Sequence, residues 1–210
     1  MTPIVLYDKD ECPFCWRVRM SLARLGVDFE RRAFDDPQWS DRWPALTRQG
    51  TVPVLVAADI TLTDSAVMLE YLQDQYGGLL PTGAVQRAQV REVLRFSDTV
   101  LGPGARDLIF AKRGKPEAAQ DQDAITAAIQ TWRIALPDLS GLLGDAAWFG
   151  PQCGMGDYAV ATRFGLAFAY GMPRANMPPN LSDWWKRMTE RVELIDTAPK
   201  VVAADWAKEA

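Results

Sequence analysis

The sequence predicts a small mixed α/β unit followed by an all-helical one. Three observations lead there. The first 76 residues alternate short apolar runs with helix-spaced stripes, residues 77–84 are rich in glycine and proline, and beyond them nearly every apolar pattern has helical spacing. On this reading residues 1–78 form one domain, 79–85 a linker and 86–210 an all-helical domain.

Ile4-Val5-Leu6-Tyr7 is a short apolar run suited to a buried strand. Cys15, Val18, Leu22 and Leu25 recur at helical spacing, and Gly26 supplies the stop. Val27, Phe29 and Ala33 alternate with polar neighbours as a second strand. Val52-Pro53-Val54-Leu55-Val56 and Ile60-Thr61-Leu62 read as two strands joined through Ala57, Ala58 and Asp59. Ala66, Leu69, Leu72 and Tyr76 form a helical stripe that Gly77-Gly78 closes. In the second unit the stripes are Val90–Leu101, Ile125–Leu136, Val160–Phe168, and a last one running from Leu181 to Val192. Gly102-Pro103-Gly104, Pro137 and Pro173 are expected to break or bound these helices.

Composition removes several functions. Lys and Arg number 23 against 27 Asp and Glu, a charge of -4 that offers no basic footprint for nucleic acid or an anionic membrane. No apolar stretch reaches the ~18 residues of a membrane span, and the first one is too short for a signal-peptide core. A cytoplasmic protein is the expectation. Histidine is absent, which excludes a Ser-His-Asp or Cys-His relay and any histidine-ligated metal.

Cys12-Pro13-Phe14-Cys15 is the most informative segment. With Cys12 as N-cap and Pro13 at the first helical position, the free N–H groups of the first turn and the positive end of the helix dipole face the Cys12 sulfur. Both favour thiolate, and Lys9, Arg17 and Arg19 can add positive potential. Cys15 lies one turn on, so Cys12 is read as the attacking thiol and Cys15 as the resolving one. The competing readings are two plainly buried cysteines, an iron–sulfur cluster bridged between subunits, and half a zinc site, but Cys153 without histidine does not complete four zinc ligands, and no metal is expected. Cys153 itself is read as core, stapled against Tyr158.

Two further motifs stand nearby. Pro53 opens a strand, where a cis bond would turn the Val52 backbone toward a ligand. Asp64-Ser65 begins a helix, and either residue can serve as its cap. A cap paired with a helix N-terminus can also bind the adjacent carboxylate and ammonium of a free amino-acid moiety.

Taken together, the Cys-Pro-Phe-Cys segment, Thr51-Val52-Pro53-Val54-Leu55 and the Thr63-Asp64-Ser65-Ala66 helix start resemble the glutathione transferase superfamily, of cysteine-using, omega-like type. Trp148-Phe149-Gly150 followed by Gly154-Met155-Gly156-Asp157-Tyr158 is similar to that family's capping box and staple. The resemblance implies a thioredoxin-like N-terminal domain, an all-α C-terminal domain, a homodimer, and glutathione as co-substrate. It implies that Cys12 faces the glutathione sulfur, that Val52 pairs with the cysteinyl backbone beside a cis Pro53, that Asp64 and Ser65 hold the γ-glutamyl end, and that Phe14 lines the pocket. Gly154 stands where the family carries a Ser or Thr cap, leaving Asp157 to cap alone. Asp36 stands where such relatives carry a lysine for the glycyl carboxylate, which leaves Arg48 or Gln49 as candidates.

The chemistry that follows is glutathione-dependent thiol–disulfide exchange on a small-molecule or protein disulfide. The alternatives are conjugation of glutathione to small electrophiles, with an apolar pocket from Phe110, Trp148, Phe164 and Phe168, and a non-enzymatic binding role. Tyr7 is a competing candidate for activating a thiol. The basic pairs Arg31-Arg32 and Lys112-Arg113 are read as solvated surface.

Overall fold

The computed structural model describes residues 4–58 and 60–208; Asp59 of the expected strand turn, and the outermost residues of both expected domains, lie outside them. Strand β1 (Ile4–Asp8) leads into helix α1 (Pro13–Leu25), which ends on Gly26 in the left-handed conformation at φ 62°. Strand β2 (Phe29–Ala33) returns parallel to β1, with Ile4 opposite Phe29. A short 3₁₀ turn (Trp43–Leu46) precedes β3 (Val54–Ala57) and β4 (Ile60–Leu62), and helix α2 (Ser65–Tyr76) follows. The sheet order is β2-β1-β3-β4, with β3 antiparallel to both neighbours. This is the thioredoxin-like arrangement expected of the first unit, and a helical half follows it.

Helix α3 (Ala84–Phe96) begins within the expected linker, at Ala84. A five-residue π-helical turn (Ser97–Leu101) joins it to α4 (Gly102–Lys112), so the helical path runs through the Gly-Pro-Gly segment without breaking there. Pro103 falls in the first turn of α4, where a missing N–H costs little. Pro137 does not break its helix either. It lies inside α5 (Gln122–Leu143) on the exposed face, so the carbonyl it leaves unpaired reaches water. Helices α6 (Met155–Ala169), α7 (Pro179–Thr189), α8 (Val192–Asp196) and α9 (Lys200–Trp206) complete the bundle. The stripe read from Leu181 to Val192 is thus two helices, and Val192 is exposed because it opens the second. Among the described residues no helix is long and apolar enough to cross a membrane.

Helix α6 is buried along nearly its whole length and is the axis of the core. Phe164 stacks against Trp132, Trp184 and Trp185 with ring centroids 5.0–5.7 Å apart. Asp157 caps α6 alone: its carboxylate accepts from the Gly154 N–H, the Phe149 N–H and the Trp184 indole N–H. Cys153 is buried with its sulfur 3.8 Å from that of Met188, and burial pushes its thiol up, out of chemical use. Trp16 of α1 is fully buried and lies against Gly165 of α6, where a Cβ would stand 2.7 Å from its ring. The helix that carries the cysteines is therefore seated directly on the core of the helical half.

Candidate active site

Cys12 caps α1 in extended conformation, with Pro13 at the first helical position. The Cys15 N–H donates to the Cys12 sulfur at 3.4 Å, and the Lys9 N–H to the Cys15 sulfur at 3.5 Å. Both thiols are free; Cys12 is half-buried and Cys15 is sealed from solvent. Their acidities separate. A hydrogen bond from the Cys15 thiol, the N–H groups of Cys15 and Phe14 and the charge of Arg163 outweigh burial and hold Cys12 down at about 7. Burial first, and then the Cys12 sulfur, push Cys15 well up. At neutral pH one sulfur is substantially thiolate while its neighbour keeps its proton.

The cations differ from the expectation. Arg19 is buried against Asp8, which also accepts from Arg31 at 2.8 Å. Arg17 holds both oxygens of Asp98 at 2.9–3.1 Å and donates to the Ser65 hydroxyl at 2.7 Å. The guanidinium that acts on Cys12 belongs to Arg163 of α6, a residue with no signal in the sequence beyond a charge in the middle of an apolar helix. Its charge centre lies 4.5 Å from the Phe14 ring, and that of Arg17 lies 5.0 Å from the same ring. Of the three cations expected near the thiol, only Lys9 lines the cleft with it.

The Val52–Pro53 bond is cis. Val54 pairs with Tyr7, so this bond lies just beyond the end of β1 from which the Cys12 loop departs. Asp64 caps α2, its Oδ1 accepting from the Ala66 and Val67 N–H groups at 2.8 and 3.1 Å. The Ser65 hydroxyl is nearly buried and, with Arg17 occupying its lone pairs, keeps its own proton for an acceptor. Arg48 and Gln49 are both exposed in the loop before Val52.

A cleft of about 350 Å³ opens over Cys12 and Phe14, walled by the start of α4 and by Arg163. Of the four aromatic residues expected to form an apolar pocket, Phe110 alone reaches it. Phe164 and Phe168 are core, and Trp148 lies elsewhere near Arg187 and Arg191. The Tyr7 hydroxyl accepts from Arg32 at 2.8 Å, while the hydrogen bonds to the Cys12 sulfur come from Cys15 and the Phe14 N–H. The basic pairs are not simply solvated. Arg31 pairs with Asp8 and Asp10, Arg32 with Glu30, Lys112 donates to the Tyr170 carbonyl, and Arg113 pairs with Glu11.

Residues 6–79 match the family model described as glutathione S-transferase, N-terminal domain. The chain is 27% identical over 200 residues to glutathione S-transferase GstB of Escherichia coli (strain K12), covering 90% of this chain and 94% of that one. A probable glutathione S-transferase, GSTU1 of Oryza sativa subsp. japonica, is 28% identical over 205 residues, covering 88% of this chain and 84% of that protein. Among solved structures, a glutathione S-transferase from Rhodospirillum rubrum F11 superposes with a TM-score of 0.80 at 25% identity, over 96% of this chain and 99% of that one. A theta class glutathione S-transferase from Xanthomonas axonopodis pv. citri, with glutathione bound, superposes at 0.84 and 22% identity, over 94% of this chain and 98% of that one.

Proposed function

We propose that this chain is a glutathione transferase-family enzyme that catalyses glutathione-dependent thiol–disulfide exchange, with Cys12 as nucleophile. The carrying observation is the placement of the Cys12 sulfur at the N-cap of α1, where it takes the Cys15 N–H at 3.4 Å beside a fully buried Cys15. This holds Cys12 down at about 7 and pushes Cys15 well up. The Cys12 thiolate attacks the glutathionyl sulfur of a mixed disulfide; the S–S bond breaks and the partner thiolate leaves with the electron pair and takes up a proton. Glutathione is then held on Cys12. A second glutathione thiolate attacks that glutathionyl sulfur, releasing glutathione disulfide and regenerating Cys12.

Cys15 is the alternative resolving thiol, since attack on the Cys12 sulfur would release reduced glutathione and leave a Cys12–Cys15 disulfide. Its burial and raised pKa make it slow in that role at pH 7, and its thiol better serves as a hydrogen-bond donor to Cys12. In this reading Val52 pairs with the cysteinyl backbone of glutathione beside Pro53, Asp64 takes the γ-glutamyl ammonium and Ser65 its carboxylate, Phe14 lines the pocket, and Arg48 or Gln49 meets the glycyl end. The enzyme acts as a cytoplasmic homodimer, which sedimentation of the purified protein tests.

Conjugation of glutathione to an electrophile is the second reading, favoured by the apolar wall of the cleft around Ile109, Phe110 and Leu166. Reduction of a glutathionylated peptide, assayed beside conjugation of a chloronitroaromatic, separates the two. Cys12→Ser is expected to lose at least a hundred-fold in reduction (on the order of 10² or more for a lost nucleophile); reduction that survives this change overturns the proposal.

A further inference from the structure

Arg163 is only 5% exposed, in the middle of the apolar helix α6. A buried guanidinium is costly unless its charge and donors are matched. Here the match is incomplete. Its Nη2 meets Asp98 Oδ1 at 3.0 Å, yet Asp98 is already held through both oxygens by Arg17, so one carboxylate serves two guanidinium groups. Among the described residues Asp98 is the only hydrogen-bond partner of Arg163, and its other nitrogens are not among the buried unpaired atoms. They remain open to the cleft that the residue lines. Gly102 packs closely beside it: a Cβ there would stand 2.9 Å from the Ser97 carbonyl oxygen, 3.2 Å from the Arg163 Cζ and 3.3 Å from its Nη2.

The Cys12 thiolate acts on Arg163 as well, one negative charge against Arg163 and Lys9 together, and the remaining charges of the cleft are paired. Glu11 is paired with Arg113, and Arg106 with Asp107 outside the cleft. Lys9 has no carboxylate within ion-pair distance among the described residues; its ammonium lies 5.2 Å from the centroid of the Phe34 ring. The remaining wall is apolar, through Pro103, Ile109, Phe110 and Leu166. A pocket that combines an apolar wall with an under-matched guanidinium fits a ligand of the complementary make-up.

We propose that Arg163 is the specificity-determining residue of this cleft and binds the carboxylate of a second substrate whose body is apolar or aromatic. The catalytic part rests on the reading of Cys12 as nucleophile. With a glutathionyl disulfide of an aryl thiol carrying a carboxylate, the Cys12 thiolate bonds to the glutathionyl sulfur, the S–S bond breaks, and the carboxylate-bearing thiolate leaves against Arg163.

Two measurements test this on the whole protein. In titration calorimetry at pH 7.5, 2-naphthoate is expected to bind at least ten-fold tighter than neutral 2-naphthamide, with and without saturating glutathione. Arg163→Gln brings that preference below two-fold, and Arg163→Lys restores part of it. Arg163→Met, which keeps the apolar stem and removes the charge, reads the same loss of preference should Arg163→Gln not fold. In turnover, the kcat/KM ratio between the mixed disulfides of glutathione with 4-mercaptobenzoate and with its neutral amide falls in parallel. That ratio cancels any change in Cys12 reactivity. Equal binding of naphthoate and naphthamide by the wild type overturns the proposal, and so does loss of the preference when glutathione saturates, because Arg163 would then serve glutathione itself. A binding preference that holds while neither disulfide turns over leaves Arg163 as the anion site and removes the exchange reading instead.

Discussion

The Cβ that Gly154 lacks would stand 2.4 Å from the carbonyl oxygen of Leu79, the residue that accepts the N–H of Met155 at 3.1 Å. The start of α6 and the segment after α2 approach more closely than any side chain permits. A serine or threonine is the better helix cap in isolation, so its absence here has a steric cause. Gly154→Ser is expected to destabilise the protein by about 2 kcal/mol, the usual scale of forced overpacking, despite improving the cap. A urea midpoint higher than wild type would contradict this.

Cys12 reactivity with a neutral alkylating reagent is expected to rise with pH about a midpoint near 7, because only the thiolate attacks. Cys15→Ala removes the thiol that donates to Cys12 and moves the midpoint up by about one unit. Cys15→Ser keeps a donor and moves it less. Stopped-flow alkylation of the three proteins measures the series.

Ser65 keeps a proton to donate because Arg17 occupies its oxygen. Ser65→Ala is expected to raise the KM for glutathione about ten-fold, the worth of one hydrogen bond to a charged group, with kcat little changed. Steady-state kinetics with glutathione varied reads this directly.

Asp157 accepts from three buried or nearly buried donors, so Asp157→Ala leaves all three unpaired and is expected to cost about 3 kcal/mol. Burial nevertheless pushes its carboxyl up to about 6, against those donors. The folded pKa lies above the unfolded value of 3.8, so the folded state binds the proton more tightly. The contribution of this group to stability therefore rises as pH falls from 7 toward 4. Urea midpoints for wild type and Asp157→Asn, compared at pH 7 and 5, isolate that trend, since asparagine does not titrate.

What the sequence made legible follows from what acts locally. The strands and helices around Cys12 were readable because alternation, helical spacing and Gly26 are all properties of neighbouring residues. So was the cap at Asp64, whose partners are two and three positions away. Gly102-Pro103-Gly104 misled because a π turn upstream absorbs the proline, and Pro137 because exposure, which depends on the whole bundle, decides its cost. Arg17, Asp98 and Arg163 come from three separate helical segments, and nothing local marks their meeting. Phe164 and Phe168 carry the same spacing whether they face a ligand or a core; their ring contacts with the tryptophans decide for the core.

The indole of Trp16 pressed into the space left by Gly165 sets a rule for hybrid proteins. A helical half borrowed from a relative with any larger residue at that place has nowhere to accept the indole, and the displaced α1 takes the Cys12 thiol with it. Recombination between such chains succeeds only when these two positions travel together.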